Sequence, residues 1–512
     1  YVLKAMIVKE LNNNNYGTKL NLIISKPYDF DFKILDNSFK QINFIYYSNR
    51  LKIISNILKK IGIIIIKELR FLFYPNKKSD FNDNITNSIL TVEEDTISLN
   101  NNYRNQFFWF SGESDLSKTK IFTLKFSKGA IKNRSKLKKC NIEIINRVYF
   151  SYARKTLENN IHLKALKNEI KQIFKHLIFH NNLKEKTQTL IILKLFVESL
   201  NISALSIYLN SKIFLFKETH SIYSDAIQLI SNKIGIRTIG MQYSNMGLIS
   251  PLMLTSSDEF LIFSKEFKKL FTYKDIRPKS FIVNGYLFGG IEKYLLDSVS
   301  KLKLDLKKLG VKFIIGYFDE SVQYNKWGMI NVKKHKEEIN KLLKYILHDP
   351  TLALVLKTQF MYNLPSKIYP NDKLIKACLS TGRYIELSKG TSSRNDVYPS
   401  EVGLMANICV NHKFGATAAL ETASLGVKTV LLNNHKSLSH WDYLYKKSNI
   451  VFENVDDLIV EIKKFRLKNL EFDNLGNWNE IISILNKYYG HDIISKINKH
   501  LKLSLKKSET II

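Results

Sequence analysis

Apolar and polar positions change period several times along this 512-residue chain. In IHLKALKNEIKQIFKHLIF and QTLIILKLFVESL, apolar residues recur every three or four positions, which predicts helices over about residues 155–206. Strands then alternate with helices. KIFLF (212–216) reads as a buried strand, SIYSDAIQLISNKIG as a helix ending at Gly235, and IRTIGMQYS as a strand and its loop. DEFLIFS and KSFIVNGY are two further short strands around a helical KEFKKLF. A second series begins at Lys312. VKFIIGYF, TLALVLK, RYIELS, NICVN and VKTVLLN read as strands, interleaved with helices over 331–348, NDKLIKACLS, SEVGLMAN and ATAALETASLG. NIVFE and VDDLIVEIKKF add a last strand–helix pair. Ahead of residue 155, LNLIIS, INFIYYS and KIFTLKF are strand-like, while the Asn/Asp/Ser-rich stretch 79–106 reads as a loop.

Strands alternating with helices of 10–15 residues indicate βαβ units and parallel sheets covered on both faces. The expected fold class is α/β: two Rossmann-like domains with a cleft between them, joined near residue 300, and extra helices in the N-terminal half. Residues 1–305 would form the first domain, with the helical insertion at about 155–206. Residues 306–475 would form the second, and the helices of 476–512 would pack back on the first.

Composition narrows the function classes. Lysine and arginine number 78 against 46 acids, a net charge of +32. Such a balance attracts polyanions, whether nucleic acid, anionic lipid or phosphorylated substrate. Lysine, asparagine and isoleucine are all heavily used, no compact Lys/Arg run occurs, and the charge is diffuse. It favours a phosphorylated donor or a membrane surface, and no nucleic-acid partner is expected. Only Cys140, Cys378 and Cys409 occur. That excludes a disulfide framework and a CxxC metal site, and fits a reducing, cytoplasmic setting. No signal-peptide pattern is visible. The most apolar stretch, residues 53–74, is interrupted by Lys59, Lys60, Lys67, Glu68 and Arg70, so it falls short of a spanning helix. It reads either as a helix with a solvated lysine face or as a basic amphipathic helix lying on an anionic membrane, peripheral to the inner membrane.

The segment with the most chemistry is HKFGATAALETASLGVKTVLLN (412–433). Strand NICVN ends in a short turn, and a helix of small residues follows. In parallel α/β sheets ligands bind at the carboxyl ends of strands, and a helix N-terminus there presents unpaired N–H groups and partial positive charge to a phosphate. Gly415 permits close approach of the backbone, Ala416 adds no bulk, and Thr417 can cap the helix or donate a hydroxyl. Glu421, four residues on, lies one turn along the same face, where a carboxylate can accept both hydroxyls of a ribose. An ordinary turn with a solvated glutamate has the same spacing, because a short glycine turn is less specific than a full dinucleotide fingerprint.

FGATAALETASLGVKTVLL resembles the donor-binding segment of GT-B-type glycosyltransferases, especially bacterial enzymes of capsule and surface-polysaccharide synthesis. The resemblance implies that Gly415, Ala416 and Thr417 face the donor diphosphate and that Glu421 holds the ribose. Lys428 stands where many relatives carry proline. RTIGMQYSNMG (237–247) is similar to a TIGxQHG-type segment of such enzymes, and IVNGYLFGG (282–290) to the segment that follows it. Tyr243 and Ser244 replace His-Gly there, so no catalytic histidine carries over; Gln242, Tyr243 and Ser244 are candidate contacts to acceptor or sugar. VLKTQF (355–360) is similar to a strand end written hxhKxHP, in which Lys357 survives and Gln359 and Phe360 replace His-Pro. Lys357 is placed to neutralise a phosphate, unless it is one more surface lysine. The likeness covers about residues 210–502.

Sugar transfer needs stabilisation of the departing diphosphate and, in an inverting enzyme, a base near the acceptor hydroxyl. Glu218, His220 and Asp225 follow strand KIFLF and are candidate bases; each could instead cap the next helix. Asp319 and Glu320, after VKFIIGYF, are candidate contacts to acceptor or donor sugar, or solvated loop acids. His412 is a candidate donor contact. No DxD in a fitting place and no HExxH occur, so no metal and no cofactor are expected. The expected function is transfer of a sugar from a nucleotide-diphosphate donor to a saccharide or lipid-linked acceptor. Rival readings are a CDP-glycerol-type polyol-phosphate transferase, a nucleotide-sugar epimerase, and a non-catalytic basic protein that binds polyanions or membrane.

Overall fold

The computed structural model describes residues 21–24, 43–46, 87–93, 119–125, 134–139, 141–145, 148–179 and 183–217. Between 226 and 509 it describes all but 229, 232–233, 246, 248–254, 273–276, 287–291, 293–294, 320–331, 390–396, 415, 435, 468–473, 487 and 489–492. The segment 53–74 lies outside the described residues.

Two parallel sheets dominate. The first runs β3 (Ser88–Glu93), β4 (Lys120–Lys125), β5 (Ile142–Ile145), β6 (Ser211–Lys217), β7 (Arg237–Met241), β8 (Glu259–Ile262) and β9 (Ser280–Val283). Their spatial order is β5-β4-β3-β6-β7-β8-β9, and every pair is parallel. The second is built from β10 (Phe313–Asp319), β11 (Leu352–Thr358), β12 (Tyr384–Glu386), β13 (Ile408–His412), β14 (Lys428–Leu432) and β15 (Val451–Phe452). Its order, β12-β11-β10-β13-β14-β15, is again wholly parallel. Counted from the first strand of each sheet, both orders begin 3-2-1-4-5-6. That is the doubly wound Rossmann arrangement, in which the strand order reverses beside the first strand and opens a crevice at the carboxyl ends. The two Rossmann-like domains expected from the sequence are therefore present. A further parallel pair, β1 (Asn21–Ile24) with β2 (Asn43–Tyr46), stands apart from both sheets.

The strands follow from composition. β10 (FIIGYFD) and β11 (LALVLKT) are buried at every position, as near-continuous apolar runs must be when helices cover both faces. Gly316 in β10 admits its neighbour, since a Cβ there would stand 2.8 Å from Val402 Cγ1. Helices α1 (Ile161–Phe179) and α2 (Leu183–Tyr208) enclose one apolar cluster with β3, β4 and β6. Helices α3 (Leu296–Lys308), α4 (Val332–His348), α5 (Lys373–Ser380), α6 (Pro399–Met405), α7 (Thr417–Ser424) and α8 (Val455–Leu467) flank the second sheet. The sides of α4, α5 and α8 that meet this sheet form a cluster with Tyr317, Leu354 and Val410.

After α9 (Asn479–Leu485), helix α10 (Ile493–Glu509) lies against the first sheet. His500 Nε2 is 2.9 Å from Glu259 Oε2, and Arg237 pairs with the other carboxylate oxygen. Burial alone would raise the Glu259 carboxyl, but hydrogen bonds from His500 and Arg237 outweigh it and hold Glu259 at about 2. Among the described residues no helix is long and apolar enough to cross a membrane.

Two strands depart from the sequence reading. β3, the first strand of its sheet, lies inside the stretch 79–106 expected to be a loop, and β5 falls in a stretch to which no strand was assigned. SILTVE has only six residues between asparagine-rich flanks, and its burial comes from pairing with β4 and β6, which are distant in sequence.

Candidate functional site

The reversal of strand order in the second sheet lies between β10 and β13, and the loop that leaves β13 runs straight into α7. Ala416 caps that helix in the left-handed region, with φ 44° and ψ 27°. For a residue with a Cβ this conformation costs on the order of 1–2 kcal/mol. Strain of that kind collects where surroundings over-determine the backbone, functional sites included. Ala416 is buried and Thr417 half-buried. Gly415 lies outside the described residues.

The first domain meets this bend directly. Asn245 N donates to Thr417 Oγ1 at 2.8 Å, and Asn245 Nδ2 donates to the Ala416 carbonyl at 3.3 Å. Beside them His440 N donates to the Gly247 carbonyl, and Phe267 packs edge-on against Trp441 with ring centroids 4.9 Å apart. In this conformation the start of α7 is roofed by the segment that follows β7.

Glu421 is buried rather than solvated, at 4% exposure. Its Oε1 accepts from Ser400 N at 2.8 Å and Ser400 Oγ at 2.6 Å, and its Oε2 accepts from Tyr286 OH at 2.6 Å. A carboxylate offers about four acceptor positions, so one, on Oε2, remains. The carboxylate thus joins α6, α7 and the turn after β9, where Asn486 Oδ1 receives Tyr286 N. Lys357 is the penultimate residue of β11 and is buried, at 8% exposure.

Other candidates stand differently from expectation. Gln242 spends its side chain on the backbone, donating to the Ser244 carbonyl at 2.9 Å and accepting from Phe263 N at 3.0 Å. Tyr243 and Ser244 are half-buried, and Lys217 Nζ lies 5.3 Å from the Tyr243 ring centre. Asp319 was expected as a solvated loop acid or a sugar contact. Its side chain is instead wholly inaccessible, with Oδ2 3.2 Å from His335 Nε2. Alternation along β10 puts Asp319 on the face of Tyr317, against α4. Glu218, His220, Asp225 and Glu320 lie outside the described residues.

His412 ends β13 on this α4 side. Its Nε2 is 2.9 Å from Tyr317 OH and 3.4 Å from Glu338 Oε2; Tyr317 OH donates to the same Oε2 at 3.0 Å. Burial, with Glu338 and Asp319 beside it, pushes the Tyr317 phenol well above its ordinary value. His335 Nδ1 is 3.2 Å from Tyr369 OH, whose single proton goes to the Val332 carbonyl. Nδ1 is therefore the donor of that contact. Burial alone would lower the His335 imidazole, yet Asp319 and Glu338 outweigh it and raise it. Asn245, Tyr286, His335, Glu338 and Ser400 were not singled out in the sequence. His335 and Glu338 share one helix face at i, i+3 spacing, which marks a common side but not a buried one. Among the described residues no group of His, Cys, Asp and Glu has the arrangement of a metal site.

No family model and no curated protein matches this sequence. Solved structures that resemble it include Anabaena Alr3699/HepE in complex with UDP and glucose, at 11% identity over 82% of this chain and 99% of that one, TM-score 0.47. The UDP-GlcNAc 2-epimerase of Neisseria meningitidis bound to UDP-GlcNAc matches at 12% identity over 82% of this chain and 100% of its own, TM-score 0.46. The wall teichoic acid polymerase TagF matches at 9% identity over 88% and 98%, TM-score 0.47. The fold assignment rests on the strand orders above, not on likeness at this level.

Proposed function

We propose that this chain is a glycosyltransferase of surface-polysaccharide assembly, moving a sugar from a nucleotide-diphosphate donor to a saccharide or lipid-linked acceptor without a metal. The observation that carries the reading is the left-handed bend at Ala416, which opens α7 at the carboxyl end of β13 where the strand order reverses. Backbone N–H groups at Gly415, Ala416 and Thr417 would hold the diphosphate, helped by the helix dipole. Lys357 supplies positive charge from the end of β11. The remaining acceptor position of Glu421 takes one ribose hydroxyl, and Ser400 and Tyr286 keep the carboxylate in place. The base comes from the residues that follow β6 in the chain, with Asp225, Glu218 and His220 as candidates. The protein works in the cytoplasm, peripheral to the membrane that carries its acceptor.

Calorimetric titration of UDP, GDP, CDP and ADP tests the site. One of them should bind, and Lys357→Ala should weaken it about 10- to 100-fold, the worth of one charge-assisted phosphate contact of about 1.5–3 kcal/mol. Equal affinity in wild type and variant removes Lys357 from the site; binding of none removes the site. Turnover of a sugar nucleotide with no acceptor present would identify an epimerase instead.

A further inference from the structure

The strand ends of the second sheet, on the face that α4 covers, hold a buried polar group that the donor contacts leave unused. Glu338 on α4 is 3% exposed, and a carboxylate is tolerated in such a place only when hydrogen-bonded or paired. Its Oε2 accepts from Tyr317 OH and lies 3.4 Å from His412 Nε2, while its Oε1 accepts from Asn434 Nδ2. One side chain thereby joins the end of β10, the end of β13 and the loop after β14.

The hydrogen count fixes the imidazole. Tyr317 is a neutral phenol with one proton, and that proton goes to Glu338. His412 Nε2, 2.9 Å from the same oxygen, must then be the donor to it, so the ring carries its first proton on Nε2. A second proton enters at Nδ1, and the Glu338 carboxylate is the counter-charge that stabilises the resulting imidazolium. The other ionisable groups nearby are Asp319 on β10, Lys334 and His335 on α4, Tyr384 on β12, and Lys413 next in the chain. Asp319 is paired with His335, and Lys413 Nζ is held 2.7 Å from Asp442 Oδ1. Glu338 is therefore the carboxylate that acts on His412.

We propose that Glu338 is a positioning residue: with Tyr317 it fixes the His412 ring with its proton on Nε2 and favours the cationic form, placing positive charge at the carboxyl end of β13, four residues before the bend that holds the donor diphosphate. This rests on the donor-site reading given above. The charge strengthens the hold on the diphosphate before transfer and on the leaving group after it.

Ring-nitrogen NMR of the full-length protein tests the first half without any ligand, with the His412 signals assigned by their loss in His412→Gln. In wild type His412 should be protonated on Nε2 at neutral pH. Glu338→Gln keeps an acceptor for Tyr317 but removes the charge, so the His412 titration midpoint should fall by about one pH unit. Tyr317→Phe keeps the ring and its packing, removes the nearer acceptor and leaves Glu338 at 3.4 Å, so the Nε2–H preference should weaken, which keeps the test decisive if Glu338→Gln folds poorly. Affinity for the tightest binder among UDP, GDP, CDP and ADP should fall as pH rises through the His412 midpoint, and that inflection should move down with the midpoint in Glu338→Gln. A neutral ring whose single proton sits on Nδ1 in wild type, or an unchanged midpoint in Glu338→Gln, overturns the positioning role. Nucleotide binding with the same pH profile in both proteins overturns it too, leaving the donor site standing. If none of the four nucleotides binds, the donor site falls and the role at the leaving group falls with it.

Discussion

Replacing Glu421 with alanine should unsettle the fold, and the geometry says by how much. The carboxylate is buried and receives three donors: Ser400 N at 2.8 Å, Ser400 Oγ at 2.6 Å and Tyr286 OH at 2.6 Å. Truncation strands all three where water has little access. A buried unsatisfied polar group costs about 1–3 kcal/mol. Water entering the new cavity offsets part of the total, so the loss from three stranded donors should come to about 3–5 kcal/mol. Glu421→Gln behaves differently. Its amide oxygen still serves Ser400, and the Tyr286 hydroxyl can turn to accept from the new NH2 group, so about 1 kcal/mol is lost, the size of one ordinary hydrogen bond. Urea titration followed by tryptophan fluorescence reads both values, because Trp441 and Trp478 are buried in the fold. The alanine variant should unfold at clearly lower urea than the glutamine variant. Alanine at the wild-type midpoint, or glutamine as damaging as alanine, would refute the three-donor account. The same variants decide how a loss of nucleotide binding is read, because only Glu421→Gln leaves the scaffold close to native.

Two further outcomes follow from described geometry. Gly476 and Gly426 both have positive φ, at 63° and 78°, but a Cβ on Gly476 would stand 2.7 Å from Thr429 N, whereas Gly426 has nothing within 4 Å. Gly426→Ala should cost about 1 kcal/mol, the left-handed penalty alone, and Gly476→Ala clearly more; equal melting temperatures would show that the backbone clash is relieved cheaply. Glu259 has its folded value at about 2, below its unfolded value of 4.5, so it contributes stability in full above 4.5 and loses it as pH falls towards 2. His500→Ala should raise the pH of acid unfolding, read by far-UV circular dichroism, and an unmoved midpoint would mean that the ion pair does not hold α10.

The second domain was largely legible in the sequence because its strands are long apolar runs bounded by turn residues. β10, β11, β13 and β14 fall where VKFIIGYF, TLALVLK, NICVN and VKTVLLN place them. The bend before α7 was legible for a similar reason, since small residues and a glycine mark a turn locally. What surrounds it was not. Asn245 meets Thr417 across 172 residues of sequence, and Tyr286 reaches Glu421 across 135. Neither partner carries a local mark of that contact. Asp319 was misplaced because the sequence does not show that β10 runs on through it; once it does, alternation turns Asp319 to the Tyr317 side, where it meets His335.

Ile89 and Ile239 of the first sheet and Val355 and Leu431 of the second belong to one contiguous apolar core. Two lobes sharing their grease in this way cannot melt one after the other. A calorimeter should record a single heat-absorption peak rather than two, and either half expressed alone would leave the cell with a sticky, exposed flank and be drawn to chaperones or inclusion bodies.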